Sequence, residues 1–428
     1  MKGFLKDFQQ IKLFQLFILA GGAGAIYFLP YMRSSYYDVM IEGLKLTNTQ
    51  LGQISSMYGL FTILCYFPGG WLADRVSTRA MLSFSFIATG LGGFYYATMP
   101  AFQMLLALHV FFGVTTTLTF WAALIKAARL CGPKEVQGRV YGLLEGVRRL
   151  LSTAIGFGGV WALSLGAGTV AGFKNALLFY SAVLIGFGIL AWLFLPKGGT
   201  EDGKEDEKIN FSALSVAAKS PTVWLLSFII FFSYTSYSLA DYLTPYSTNI
   251  CGLSVAAGAT FSMVRTYAIG PFGAFFGGMA ADRFTTSNTM IAAFLIAIGC
   301  NLLYIFFPGS PSLLTFVVTN MVVMMTAYFA LRGIYYALFE EGELPVTATG
   351  IATGIVATIG YAPDAFIWTV AGKVLDKNPG QAGYTIIFWI AAASAICGLI
   401  CTLVFRQVVI KKKANATTDA TMKQASAQ

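Results

Sequence analysis

The chain has 428 residues, of which 57% are hydrophobic and only 11% charged, with a formal net charge of +9 and a mean hydropathy of +0.69. Soluble domains carry about 25% charge, so a soluble enzyme or nucleic-acid-binding domain is excluded at the outset. In a membrane protein the positive balance reads as Lys and Arg retained on the cytoplasmic side, not as a nucleic-acid surface.

The first apolar run extends from Leu13 to Met32, and no small-residue cleavage site clearly follows it. It reads as a membrane span and not as a cleaved leader. Eleven further runs follow, at roughly 51–73, 81–99, 102–125, 141–166, 176–196, 223–245, 256–280, 289–307, 313–337, 347–372 and 383–405. No Lys, Arg, Asp or Glu occurs from Ala80 to Ile125 or from Phe284 to Leu331. Each of these stretches accommodates two helices of about 20 apolar residues joined by a turn. None of the runs shows the alternation of transmembrane strands. The expectation is an all-α membrane protein with twelve transmembrane helices.

Twelve spans place both termini on one side. Terminal-side segments hold 20 Lys and Arg, counting Arg332 near the end of span ten, and the opposite loops hold 5, so both termini are expected in the cytoplasm. Residues 197–222 separate two six-helix bundles, 1–196 and 223–406, as a cytoplasmic linker. Its mixed-charge part, Lys197 to Lys208, carries two adjacent glycines and reads as flexible. Its stretch Ile209–Lys219 has a weakly amphipathic pattern suited to the membrane surface. The Ala-, Thr- and Lys-rich segment 407–428 reads as a disordered cytoplasmic tail. The six cysteines contain no C-x-x-C pair and read as small core residues.

The second and eighth spans end alike, in Gly69-Gly70-Trp71-Leu72-Ala73-Asp74-Arg75 and Gly277-Gly278-Met279-Ala280-Ala281-Asp282-Arg283. The offset of 208 residues marks a duplicated six-helix unit. Glycine pairs permit close helix contact, and Asp-Arg marks a tight turn. Here the chain resembles the major facilitator superfamily, whose signature is a Gly-x-x-x-Asp-Arg/Lys-x-Gly-Arg-Arg loop. Gly70, Asp74, Arg75 and Arg79 match it, while Ser77 and Thr78 depart from it. The second copy keeps Gly278, Asp282 and Arg283, with Ser287 in place of the last Arg. Gln137-Gly138-Arg139-Val140-Tyr141-Gly142 and Gly360-Tyr361-Ala362-Pro363-Asp364 are similar to bacterial permeases of the YihN type. The resemblance implies two six-helix bundles rocking around a midplane site, with the signature residues controlling conformational exchange. It also implies that the first, fourth, seventh and tenth helices line the cavity, and that the second, fifth, eighth and eleventh flank it.

Ionisable side chains in mid-span cost about 2.5–3.5 kcal/mol each and need a partner, a wet cavity or a function. They are His109, Glu145, Arg148, Arg149, Asp241, Arg265, Arg332 and Asp364, none of them in spans three, six, nine or twelve. Arg265 lies roughly 14 Å into its span at 1.5 Å per residue, with no acid three or four positions away. Two readings stand: an anion-binding guanidinium, or a pair with Asp241 or Asp364. Glu145 is three residues from Arg148 and four from Arg149, spacings that share a helical face. This suits a cytoplasmic gate network, with Arg148 also able to face the cavity. Asp364 follows a helix-loosening proline and is a candidate for proton coupling or for an arginine pair. Asp241, near the outer end of span seven, reads as a rim residue or an alternative proton site. His109 is the one histidine, a proton relay or a structural residue. Arg332 is near enough to the end of span ten to snorkel outward. Ser227, Tyr234, Ser238 and Asp241 stripe one face of span seven, and Asn320, Met324, Tyr328 and Arg332 one face of span ten. Tyr234, Tyr328 and Asn320 thus join Arg265 and Arg148 as candidate substrate-binding residues.

No cofactor, metal site or ATP loop is expected, and no enzymatic activity. Transport of a small organic anion at the inner membrane of a bacterium, coupled to protons or to a counter-substrate, is the leading expectation for a chain acting as a monomer in the lipid bilayer. Proton-driven efflux of amphipathic compounds stands beside it, as does a transporter-shaped solute sensor.

Overall fold

The structure, a computed structural model, describes residues 11–133, 136–197, 219–342 and 346–426. Helix occupies each of the twelve expected spans, and no strand occurs among the described residues. The first six spans are built from α1 (Leu13–Ala25), α2 (Arg33–Leu44), α3 (Asn48–Arg75), α4 (Thr78–Tyr96), α5 (Phe102–Gly113), α6 (Trp121–Arg129), α7 (Gln137–Ser164) and α8 (Thr169–Phe194). The next four use α9 (Pro221–Leu239), α10 (Leu243–Asn249), α11 (Val255–Met263), α12 (Ile269–Phe284), α13 (Thr286–Phe306), α14 (Leu314–Ile334) and the short α15 (Leu338–Glu341). The last two use α16 (Val346–Gly360), α17 (Ile367–Lys377) and α18 (Gln381–Ser426). Seven of the described helical stretches are long and apolar enough by themselves to cross a bilayer, and α1 is a shorter apolar helix.

The interruptions are not random. Spans four and eight each contain one π-helical turn, Val114–Leu118 and Val264–Ala268, while spans seven, ten and eleven carry 3₁₀ turns at Ala240–Tyr242, Tyr335–Ala337 and Ala362–Ala365. Asp241, Arg265 and Asp364 all sit in such turns. Irregular helix inside a membrane is tolerated where it is buried in protein or lines a cavity, and π turns recur at functional sites.

Packing divides the chain into two compact units. The first comprises Met1–Glu205, Asp241–Ala268 and Asp364–Gly383; the second comprises Asp206–Ala240, Ile269–Pro363 and Tyr384–Gln428. The first unit thus includes two pieces from the second half of the chain, Asp241–Ala268 and Asp364–Gly383. The linker expected at 197–222 lies mostly outside the described residues. The tail expected to be disordered from 407 is helical to Ser426. Its Ala, Lys, Met and Gln residues are good helix formers and extend a helix already nucleated within the membrane.

In the first unit α4 packs along α8, α1 packs between α7 and α8, and α17 runs along α3. Phe28 stacks on Tyr180 at 4.7 Å, and the Tyr180 hydroxyl lies 3.0 Å from that of Tyr36. In the second unit α14 packs against α12 and α13, and α9 against α16. Its buried polar tie is Tyr328, whose hydroxyl is 2.6 Å from Ser236 Oγ and accepts from Asn301 Nδ2 at 2.9 Å.

Candidate functional site

The most deeply buried charges lie in the first unit. Arg265, fully buried in the π turn, donates through Nη2 to Asp241 Oδ1 at 2.7 Å. Arg33, at the start of α2, reaches Asp241 Oδ2 at 3.5 Å, and Ser34 Oγ donates to the same oxygen at 2.5 Å. One carboxylate thus serves two guanidiniums, whose side chains are 0% and 4% exposed. Arg33 also lies flat over the Trp368 ring, 3.9 Å from its centroid, and 5.0 Å from that of Tyr242. The indole of Trp368 donates through Nε1 to Asp364 at 3.2 Å. Asp364 is buried against Gly59 of α3, where a Cβ would stand 2.6 Å from the Asp364 backbone oxygen.

This cluster joins two of the expected coupling carboxylates to Arg265 and to a residue missed in the sequence, Arg33. Arg33 falls at the edge of the first apolar run, where a charge reads as a loop residue. The duplication contained the signal, since an offset of 208 pairs Arg33 with Asp241. Asp241, expected at a rim, is 18% exposed between its two arginines. Around the cluster, Thr244 Oγ1 and Ser262 Oγ donate to the Ser34 carbonyl at 2.9 and 2.8 Å. Asp38 accepts from Thr248 Oγ1 and from Asn249 Nδ2. Burial pushes the Asp38 carboxyl up, and these two bonds pull it partly back.

Arg148 and Arg265 take different carboxylates. Arg148 Nη2 donates to Glu145 at 2.6 Å, and Arg149 Nε stands 3.9 Å from the same oxygen. Glu145 thus meets both arginines of its helix. His109 is buried, its Nδ1 2.9 Å from the Leu105 carbonyl, with its ring edge-on to Tyr96 and Phe112.

The second unit holds a different arrangement. Arg332 is half-buried with its guanidinium 4.3 Å from the Tyr237 ring centroid and 5.7 Å from that of Tyr234. Tyr335 and Tyr361 lie near enough to interact with its charge. Among the described residues no carboxylate forms an ion pair with Arg332. The stacked tyrosine holds it inward, where a snorkelling side chain was an expected alternative. Tyr234 packs edge to face on Tyr361. Asn320 Nδ2 donates to the Cys300 carbonyl at 2.9 Å, tying α14 to α13.

The two signature turns are built differently. In the first, Lys126 Nζ lies 3.8 Å from Asp74 and donates to the Ala73 carbonyl at 3.1 Å, closing the end of α3. Arg75 stacks on Trp71, and Arg79 donates to the Trp192 carbonyl at 3.2 Å. In the second, Arg283 lies over Phe284, and Ser287 donates its amide and hydroxyl to Glu341 at 2.9 and 2.6 Å. Gly70 and Gly278 face open space. Their neighbours make the close contacts: a Cβ on Gly69 would be 2.9 Å from the Leu118 carbonyl oxygen, and one on Gly277 would be 2.7 Å from Ala330 Cα.

Residues 13–367 match the model of the Major Facilitator Superfamily. The chain belongs to this superfamily. The inner membrane protein YihN of Escherichia coli strain K12 is 30% identical to it over 407 residues, covering 94% of this chain and 96% of YihN. Among solved structures, the nucleoside transporter NupG superposes with a TM-score of 0.70 at 15% identity, covering 91% of this chain and 98% of NupG. An inward-facing bacterial homologue of the human lysosomal transporter Spinster gives 0.68 at 16%, covering 93% and 95%. As a superfamily member the chain is a multi-pass transporter of the bacterial inner membrane for a small-molecule substrate, in a family whose members are not enzymes in general.

Proposed function

We propose that this chain is a secondary active transporter that moves a small organic anion by alternating access, with both termini in the cytoplasm. The observation that carries this reading is Arg332, a half-buried arginine within the bundle that pairs with no carboxylate among the described residues. A positive charge at membrane depth requires compensation, and an anionic solute supplies it on binding. Arg265 and Arg148 would then attract the solute during the cycle, and Asp364 would carry the coupling proton. The Asp74 and Asp282 turns would govern exchange between conformers.

The test is accumulation of a panel of labelled organic anions in proteoliposomes, with and without an imposed pH gradient. Gradient-stimulated accumulation of an anion, or its exchange against a second anion, is the expected result. Preference for cationic or neutral amphipathic compounds would overturn the reading in favour of an efflux pump. Binding without accumulation would indicate a sensor.

A further inference from the structure

The Arg332 guanidinium lies over two tyrosine rings, Tyr237 at 4.3 Å and Tyr234 at 5.7 Å, and Tyr335 and Tyr361 are near enough to interact with its charge. The ring faces are largely occupied. Tyr234 and Tyr361 meet edge to face at 4.9 Å and 85°, and Tyr237 meets Tyr328 at 6.3 Å and 86° while carrying the guanidinium. What the cage offers a ligand is therefore hydroxyl groups around one positive charge.

Those hydroxyls are connected. The Tyr335 and Tyr361 oxygens are 2.5 Å apart, and the Tyr336 hydroxyl donates to Tyr361 at 3.4 Å. A phenol has one donor and more than one acceptor position, so mutual bonding within the chain leaves acceptor capacity for a ligand that donates. On α9, Ser238 lies one helical turn from Tyr234; its Oγ is buried and has no hydrogen-bond partner among the described residues. A single guanidinium balances a single negative charge. A dianion would bring a second charge that this cage does not match, at the cost of burying it unpaired.

We infer that the Arg332 cage binds hydroxylated monocarboxylates of sugar size, namely aldonates and uronates. The carboxylate takes the guanidinium fork, and ligand hydroxyls donate to the tyrosine oxygens. This inference rests on the organic-anion reading above and narrows it to one substrate class.

Isothermal titration of the purified full chain tests it directly. The probes are gluconate, galactonate, glucuronate and galacturonate, compared with glucose, hexanoate, benzoate and glucose 6-phosphate. At least one sugar acid should bind at least about tenfold more tightly than all four comparison compounds, the scale of one charge-assisted bond. Monodisperse Arg332→Gln should lose that preference over glucose. Tyr361→Phe and Tyr335→Phe, which keep the rings, should each weaken sugar-acid binding several-fold and leave hexanoate binding unchanged. Equal or tighter binding of hexanoate, benzoate or the sugar phosphate overturns the inference, as does failure of every sugar acid to bind. Proteoliposome uptake separates the two levels. Uptake of an unhydroxylated anion, with no sugar acid bound, removes the substrate class and leaves anion transport standing, whereas no uptake of any anion removes both.

Discussion

Asp241 is the residue on which the buried charge of the first unit depends, because Arg33 and Arg265 both turn to it. A buried ion cluster adds little net stability, since desolvation offsets much of the attraction, but removing one partner leaves a charge buried and unmatched. Here the loss would take the carboxylate from two guanidiniums at once. Asp241→Asn should therefore lower stability by about 3–5 kcal/mol, read as a drop in thermal unfolding temperature in detergent. Arg265→Gln introduced on top of Asp241→Asn should recover part of that loss, since neighbouring groups in one network are not additive. Additive losses in the double variant would show that the two side chains are energetically separate. Arg265, Asp241 and Asp364 were readable in the sequence because each charge interrupts an apolar run. Arg33 was not, because a charge at the end of a run looks like a loop residue. What moves it inward is the cation–π contact with Trp368, far along the chain, which no local pattern encodes.

At the scale of helices, the repeated Gly-Gly pairs separate into a packing glycine and an open one. Gly277 admits the backbone of α14 at Ala330, and Gly69 admits the π turn at Leu118, whereas Gly70 and Gly278 have nothing within 4 Å of a Cβ. Gly277→Ala should cost about 1–3 kcal/mol through overpacking against backbone. Gly278→Ala should be neutral or gain up to about 1 kcal/mol from the reduced flexibility of the unfolded chain. Thermal melting of the two variants side by side checks this, and equal melting would remove the distinction. A second helix-level feature is the start of α3. Asp376 accepts there from Asn48 N and Nδ2 at 3.0 and 2.8 Å, and from Thr49 N and Oγ1 at 2.8 and 2.5 Å. A carboxylate at a helix N-terminus contributes about 0.3–1 kcal/mol when exposed and up to about 2 kcal/mol when partly buried. Asp376→Ala should lose an amount in that range, and the loss should shrink in high salt as the dipole interaction is screened. A salt-independent loss would assign the effect to the hydrogen bonds alone. The spans were readable because hydropathy and charge spacing report what a bilayer demands of each segment. The π and 3₁₀ interruptions were not, because hydropathy reports that a segment is helical but not the register of its backbone hydrogen bonds.

At the scale of the whole molecule, the duplication brings equivalent positions together with opposite charge. Arg33 and Asp241 are related by the same offset of 208 residues as Asp74 and Asp282, yet Arg265 has the uncharged Met57 as its counterpart. The repeat is thus broken at Arg265, and the carboxylates in and beside that cluster are where a coupling proton is sought. Asp364 reaches it through Trp368, which also carries the face of Arg33. Asparagine at 364 keeps an oxygen able to accept from the Trp368 indole but cannot take up a proton in this pH range, so Asp364→Asn removes titration with little change in packing. His109 provides the contrast. Its Nδ1 faces a backbone carbonyl of its own helix and its ring is enclosed by Tyr96 and Phe112, an arrangement that serves packing. In proteoliposomes, Asp364→Asn should abolish accumulation driven by a pH gradient while sparing exchange down a substrate gradient. His109→Gln should retain gradient-driven accumulation within about twofold, because a change below about 0.4 kcal/mol in the barrier is less than a factor of two. Persistent accumulation in Asp364→Asn would move the coupling proton to Asp241, where the Asn variant should then show the uncoupled exchange predicted here for residue 364.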